Sequence, residues 1–256
     1  KLAYQQAKIH YKKDGINRIL MMTDGDFNVG VSDVDEMLDI IRRERDSGVS
    51  LSTFGFGEDN LNDHMMEQVA DNGNGNYSYI DSLSEAKKAL VDEMSATFNT
   101  VAKDVKVQVE FNPHTVKEWR LIGYENRVLA KEDFNNDKVD AGELGAGKSV
   151  VALFEITPVG QQGWLDDSRY QAHPINHTGK NTELGFLKLR YKAPNSNTST
   201  LLTLSISNQT QKPSSELAFA LSVASFGETL KQSKYIGNWQ LNDSKRLAQA
   251  NIGNDP

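Results

Sequence analysis

The residues of this chain best placed to do chemistry are Thr23 and Asp24, with Asp26 close behind, in the run Arg18-Ile-Leu-Met-Met-Thr-Asp-Gly-Asp-Phe-Asn28. A hydroxyl and two carboxylates directly after an apolar run are hard oxygen donors of the kind Mg²⁺ or Ca²⁺ prefers. Residues 19–22 are apolar without alternation, which predicts a strand buried on both faces of a parallel sheet. Ligands of open α/β sheets bind at the carboxyl ends of such strands, where Thr23 and Asp24 fall. A second reading stands beside the first: Asp24 caps the turn into the next helix, a common use of Asp.

Other motifs carry less. Gly142-Glu-Leu-Gly-Ala-Gly147-Lys148-Ser149 has the spacing of a phosphate-binding loop. Such a loop must leave a strand and open a helix whose amides receive the phosphates. Here acidic residues (Asp133, Asp137, Asp140, Glu143) surround the motif and a β-rich stretch, 150–156, follows it. A glycine turn leading into a strand is the better expectation. Asp133-Phe-Asn135-Asn-Asp137 opens like an EF-hand loop, but Lys138 stands where glycine is required and Leu144 where a bidentate Glu is required. A solvated acidic turn is expected there, with adventitious Ca²⁺ as the alternative. His173 and His177 are separated by Pro174, which disfavours a helix that would bring them to one face. No Gly-x-Ser-x-Gly elbow positions a nucleophile. Sequons at Asn176, Asn197 and Asn208 match a short motif that many unrelated chains contain.

Helices and strands must position these residues, and their patterns change along the chain. Residues 1–13 read as a helix with Ala3, Ala7 and Tyr11 on one stripe. After the first strand, Ser32 is placed to cap a helix bearing Val34, Met37, Leu38 and Ile41. A strand over 49–56, a helix with Leu61, Met65 and Val69, and a strand over 76–80 follow. Ser82-Leu-Ser-Glu85 is a capping box that opens a long helix carrying Ala86, Leu90, Met94 and Phe98. This alternation predicts a doubly wound parallel sheet. Beyond residue 100, Val105, Val107, Val109 and Phe111 alternate with polar residues. Similar strands are expected over 119–124, 149–156, 186–191 and 201–207, the pattern of an antiparallel sandwich. From Pro213 onward, small and apolar residues predict a largely buried helix, and 243–250 predict another. The expected class is therefore α/β plus all-β: a partial doubly wound sheet over 1–100, a β-sandwich-like domain over 101–211 and C-terminal helices over 212–256.

Composition narrows the function. A chain of 256 residues that is 38 % hydrophobic and 25 % charged can bury a core. A net charge of −7 with scattered basic residues argues against a nucleic-acid partner. With no cysteine, thiolate metal sites and cysteine nucleophiles are excluded. No apolar run approaches the ~18 residues of a membrane helix.

The run 19–28 resembles the fourth-strand loop of von Willebrand factor A domains. Its spacing to Ser52-Thr-Phe-Gly-Phe-Gly57 and to Gly73-Asn-Gly-Asn-Tyr-Ser-Tyr-Ile80 is similar to the closing half of that fold. The stretches 133–143 and 217–227 are similar to a bacterial subfamily that appends a further C-terminal domain. The resemblance implies a non-enzymatic adhesion or protein-binding module whose Mg²⁺, or other divalent cation, is held by three loops. Asp24 would be the third-loop ligand, direct or through water. Thr23 and Asp26 would support the loop and Asn28 its turn. The first-loop motif Asp-x-Ser-x-Ser is missing from this sequence, and the second loop would precede Lys1. The expectation is that the chain starts within the A domain and by itself holds no tight metal. The resemblance also implies an extracytoplasmic, membrane-anchored lipoprotein. The partner, whose acidic side chain would complete the cation's shell, is not identified by these residues. A purely structural module remains the alternative.

Overall fold

The computed structural model describes residues 1–13, 15–24, 34–57, 61–94, 98–124, 128–166 and 182–253. Ser32, Asp26, Asn28, His173, His177 and Asn176 lie outside them, so the expectations placed on those residues are not addressed by the fold. The chain divides into two compact units. One comprises Lys1–Lys106, Asn135–Lys148 and Arg190–Leu201, the other Val107–Phe134, Ser149–Leu189 and Leu202–Pro256.

In the first unit the order is α1 (Leu2–Ile9), β1 (Arg18–Thr23), α2 (Val34–Asp46), β2 (Ser50–Phe56), α3 (Asp63–Asn72), β3 (Tyr77–Ile80) and α4 (Leu83–Lys87). The strands form a parallel sheet in the order β1-β2-β3, with Ile19 opposite Leu51, Thr23 opposite Gly55 and Phe56 opposite Ile80. Strand alternation sends residues to two cores. Ile19, Met21 and Leu51 meet Tyr4, Leu38, Ile41, Val49 and Val69, so α1, α2 and α3 cover one face. Leu20, Phe54, Phe56 and Ile80 meet Ala86, Ala89 and Leu90 on the other. The doubly wound parallel arrangement is therefore present. Tyr4 rather than Tyr11 anchors α1 in the core, because the helix ends at Ile9 and leaves Tyr11 beyond its last turn. The expected long helix after Ser82 is interrupted: Leu83–Lys87 is α-helical, Lys88–Asp92 widens into a π turn, and Met94 and Phe98 are again α-helical.

Two buried hydroxyls tie this sheet to its connections. Thr53 Oγ1 donates to the Met66 carbonyl at 3.0 Å. Ser52 Oγ accepts from Arg18 Nη1 (2.9 Å) and from the Asn76 amide (3.1 Å). Such pairing offsets the desolvation of a polar group placed inside a sheet.

The later strands are β4 (Thr100–Phe111), β5 (Val116–Ile122), β6 (Gly142–Gly145), β7 (Leu153–Pro158), β8 (Glu183–Lys192) and β9 (Ser199–Ser207). They form a four-stranded sheet ordered β6-β4-β8-β9, in which β4 and β6 are antiparallel, and an antiparallel β5-β7 pair. In the second unit Phe111, Trp119 and Phe154 pack ring against ring, with centroids 5.1–6.0 Å apart. Helices α5 (Ser215–Leu230) and α6 (Leu241–Asn251) pack on each other. The expectation of a largely buried α5 is corrected. Ala218, Ser222 and Glu228 are buried, but Val223, Phe226 and Leu230 are about half exposed. The helix is apolar nearly all round, and α6 is its principal packing partner, so only one stripe is covered.

Candidate functional site

β1 delivers Thr23, half-buried, and Asp24, exposed, at the carboxyl end of the parallel sheet. Beside them β2 ends at Phe56, with Gly55 opposite Thr23, and the chain leaves the sheet at Gly57. Gly57 adopts φ +95° and its carbonyl accepts the Tyr79 hydroxyl at 3.0 Å. The Tyr77 hydroxyl donates to Asp63 at the start of α3. Burial and that carboxylate together push the Tyr77 phenol well above its ordinary value. This end of the sheet thus collects hydroxyls and acids, although β1 is not buried on both faces as expected: its residues are half-buried and Met22 is exposed. Asp24 belongs to no set of three metal-capable side chains among the described residues. One hydroxyl and one carboxylate do not make the near-octahedral oxygen shell that Mg²⁺ demands.

The cluster that does assemble three carboxylates lies elsewhere, and sequence reasoning missed it. Ligand atoms of Asp104, Asp140 and Glu143 lie within 4.8 Å of one another. Asp104 sits at φ +50° in an irregularity of the β4-β6 ladder between Ala102 and Val105, and such bulges re-aim a side chain. Its carboxylate lies 2.6 Å from Lys192 Nζ and accepts the Ala141 amide at 3.2 Å. Asp140 pairs with Arg45 of α2 at 2.5 Å. Both Glu143 carboxylate oxygens are buried without a hydrogen-bond partner. Burial acts against the charge of Asp104, but Lys192 outweighs it and holds this carboxyl below its ordinary value. Burial and Asp104 push Asp140 up despite Arg45. Burial, then Asp104 and Asp140, push Glu143 up to about 7, against the pull of Lys103 and Arg18. Lys192 and Arg45 thus already pair with two of the three acids. The only available signal was the density of acids over 133–143, because Asp104 joins them through strand pairing.

The remaining motifs resolve locally. The EF-hand-like stretch is held by basic side chains. Lys106 and Lys192 donate to the carbonyls of Asn136 and Asp137 at 2.6 and 2.7 Å, and Asp137 accepts Ser199 Oγ at 2.5 Å. Several oxygens that a Ca²⁺ loop would offer are already engaged, and the turn is solvated, with Asn135, Asn136, Lys138 and Asp140 exposed, while anchored at these points. In the phosphate-loop motif, Gly142–Gly145 is itself strand β6. Lys148 pairs with Glu93 at 2.6 Å, and the next regular element is strand β7, so no helix N-terminus follows the glycines. In the second unit, Glu118 of β5 is buried and accepts Thr157 Oγ1 at 3.2 Å, the Leu165 amide at 3.1 Å and the Trp164 amide. Burial opposes its charge, yet these donors keep its carboxyl below the ordinary value. An open groove of about 410 Å³ between α5 and α6, lined by Phe219, Val223, Phe226 and Leu241 among others, presents almost no polar surface for chemistry.

Fold and site together define a mixed α/β protein with a parallel sheet, antiparallel sheets and no assembled catalytic constellation among the described residues. The chain belongs to the family described as "Uncharacterized protein YfbK, C-terminal", whose model matches residues 96–256. It is 48 % identical over 256 residues to "Uncharacterized protein YfbK" of Escherichia coli (strain K12), covering all of this chain and 44 % of that protein. It is 27 % identical over 227 residues to "Uncharacterized protein sll0103" of Synechocystis sp., covering 85 % of this chain and 49 % of the relative. The chain thus spans about half the length, or less, of these curated relatives. Similar solved structures include a von Willebrand factor type A protein from Catenulispora acidiphila, with TM-score 0.39, 14 % identity and coverage of 89 % and 53 % of the two chains. Another is the ArnB paralog VWA2 from Sulfolobus acidocaldarius, with TM-score 0.36, 15 % identity and coverage of 92 % and 54 %. Scores of this size do not define a shared fold.

Proposed function

We propose that this chain is part of a non-enzymatic protein-binding module of the von Willebrand A type, in which Asp24 contributes to a divalent-cation site of the longer protein. The observation that carries the proposal is the position of Thr23 and Asp24 at the carboxyl end of a parallel, doubly wound sheet. The ordered sequence resemblance over 19–28, 52–57 and 73–80 supports it. In this reading Asp24 ligates Mg²⁺ directly or through water, and Thr23 and Asp26 support the loop. A cation bound largely by neutral oxygens keeps charge to attract a partner's carboxylate. The segments 1–100, 101–211 and 212–256 are proposed as partial A domain, β-sandwich-like domain and helical tail. An anchored extracytoplasmic location belongs to the same proposal.

The test is calorimetric titration of the longer protein with Mn²⁺, with and without Asp24→Ala. A dissociation constant on the order of micromolar (~8 kcal/mol) that the substitution abolishes is expected. Equal binding by both proteins, or none by either, overturns the reading and leaves the purely structural alternative, in which the parallel sheet only supports the later domain.

A further inference from the structure

We propose that Glu143 operates a proton-controlled latch, which holds β6 and the preceding turn against β4 when its carboxyl, beside Asp104 and Asp140, carries a proton and loosens them when it is ionised. The proposal is independent of Asp24, which lies at the opposite end of β1.

The geometry carries the argument. Glu143 lies on β6, an edge strand of only four residues joined to β4 at three paired positions with two shifts of register. Its two carboxylate oxygens are sealed from solvent and have no hydrogen-bond partner, so no hydrogen bond rewards the anion there. Four charged groups act on it most strongly. Asp104 and Lys103 come from β4, Asp140 from the turn before β6, and Arg18 from β1. Behind these, Lys192 of β8 is committed to Asp104 and Arg45 of α2 to Asp140. Arg18 is itself drawn away, donating to Ser52 Oγ at 2.9 Å and to the Asn74 carbonyl at 3.3 Å. Glu143 therefore faces two carboxylates at close range, while Lys192, Arg45 and the two terminal nitrogens of Arg18 are engaged elsewhere. A neutral carboxyl fits this position and a third adjacent anion does not.

The sign follows from linkage. The closed latch has the higher proton affinity, with Glu143 at about 7 against 4.5 when free. Closure is favoured as pH falls through 7, saturates below 4.5 and is lost as pH rises above 7. Between pH 5.5 and 8.5 these two values change the open-to-closed ratio by about 30-fold.

The experiment is amide hydrogen exchange of the full chain over residues 141–146 at several pH values, each rate normalised to intrinsic exchange. The expected result is a rise in normalised opening of about 30-fold from pH 5.5 to 8.5, while α6 stays unchanged. Glu143→Gln is expected to give protected, pH-independent exchange. A flat profile in the unsubstituted chain overturns the proposal without requiring the variant to fold. So does a Glu143→Gln profile that still follows pH. Millimolar Mg²⁺ or Ca²⁺ restoring protection at pH 8.5 also overturns it, because the cluster would then be a cation site.

Discussion

Arg120 of β5 holds Glu228 of α5, with Nη1 2.9 Å from Oε2, and at the same time binds Glu155 of β7 at 2.7 Å. The guanidinium carbon also lies 4.1 Å from the centre of the Tyr235 ring. One planar cation thus ties the β5-β7 pair to a helix more than a hundred positions away in sequence, a bidentate role that lysine cannot reproduce.

This arrangement predicts that Arg120→Ala destabilises the protein by about 3 kcal/mol, because Glu228 is buried and is left uncompensated. Arg120→Lys should recover only part of the loss. Urea denaturation followed by Trp fluorescence reads both, and an unchanged midpoint for Arg120→Ala would contradict the assignment.

Gly75 makes a second prediction. A Cβ on this residue would collide with the Leu51 carbonyl and the Ser52 amide, backbone atoms of β2 that cannot swing aside. Gly75→Ala should lower stability by about 2–3 kcal/mol. Gly147→Ala meets no neighbouring atom and bears only the strain of its φ of +76°. It should therefore be the milder change in a thermal melt.

Glu118 and Glu143 should respond to pH in opposite senses. Glu118 has a lowered pKa, so its stabilisation is present above the ordinary value of 4.5 and is lost as pH falls through the folded value. Limited proteolysis below pH 4.5 with an acid protease should cut first around 163–165, where the Trp164 and Leu165 amides lose their acceptor. Glu118→Ala should show the same cleavage at neutral pH with a neutral protease. Cleavage confined to other segments would count against the anchor.

Nucleotide binding at Gly142–Ser149 is expected to be absent. Lys148 is committed to Glu93, and β6 occupies the first half of the motif. Titration with ATP and Mg²⁺ should give no heat above dilution, and Lys148→Ala should change nothing in that titration. A saturable signal lost on substitution would revive the phosphate-loop reading.

The parallel sheet was legible because its signals are local. An unbroken apolar run, helical periodicity in α2 and the Ser82 cap each depend on neighbours within one turn or one strand. The π turn after Lys87 and the exposed side of α5 were not legible, since both depend on what packs beside the helix rather than on its own pattern. Of the two acidic regions, the sequence marked Asp24 through its place after a strand. It marked 133–143 only as charged, and in the fold Lys106, Lys192 and Arg190 hold that turn in place.

By itself, then, the sequence determined the class of the first hundred residues, the location of Thr23 and Asp24 at a strand's carboxyl end, and the change to β structure beyond residue 100. Hydrophobic periodicity fixes these, and it is a property of adjacent residues. Only the tertiary structure decided that Asp104 turns toward Asp140 and Glu143, that Arg120 joins β5 to α5, and that Glu118 holds the amides of Trp164 and Leu165. Those pairings span tens of residues and depend on strand register, a left-handed bulge and burial. Charge energies inside a protein are set by distance and desolvation, which a linear pattern does not contain.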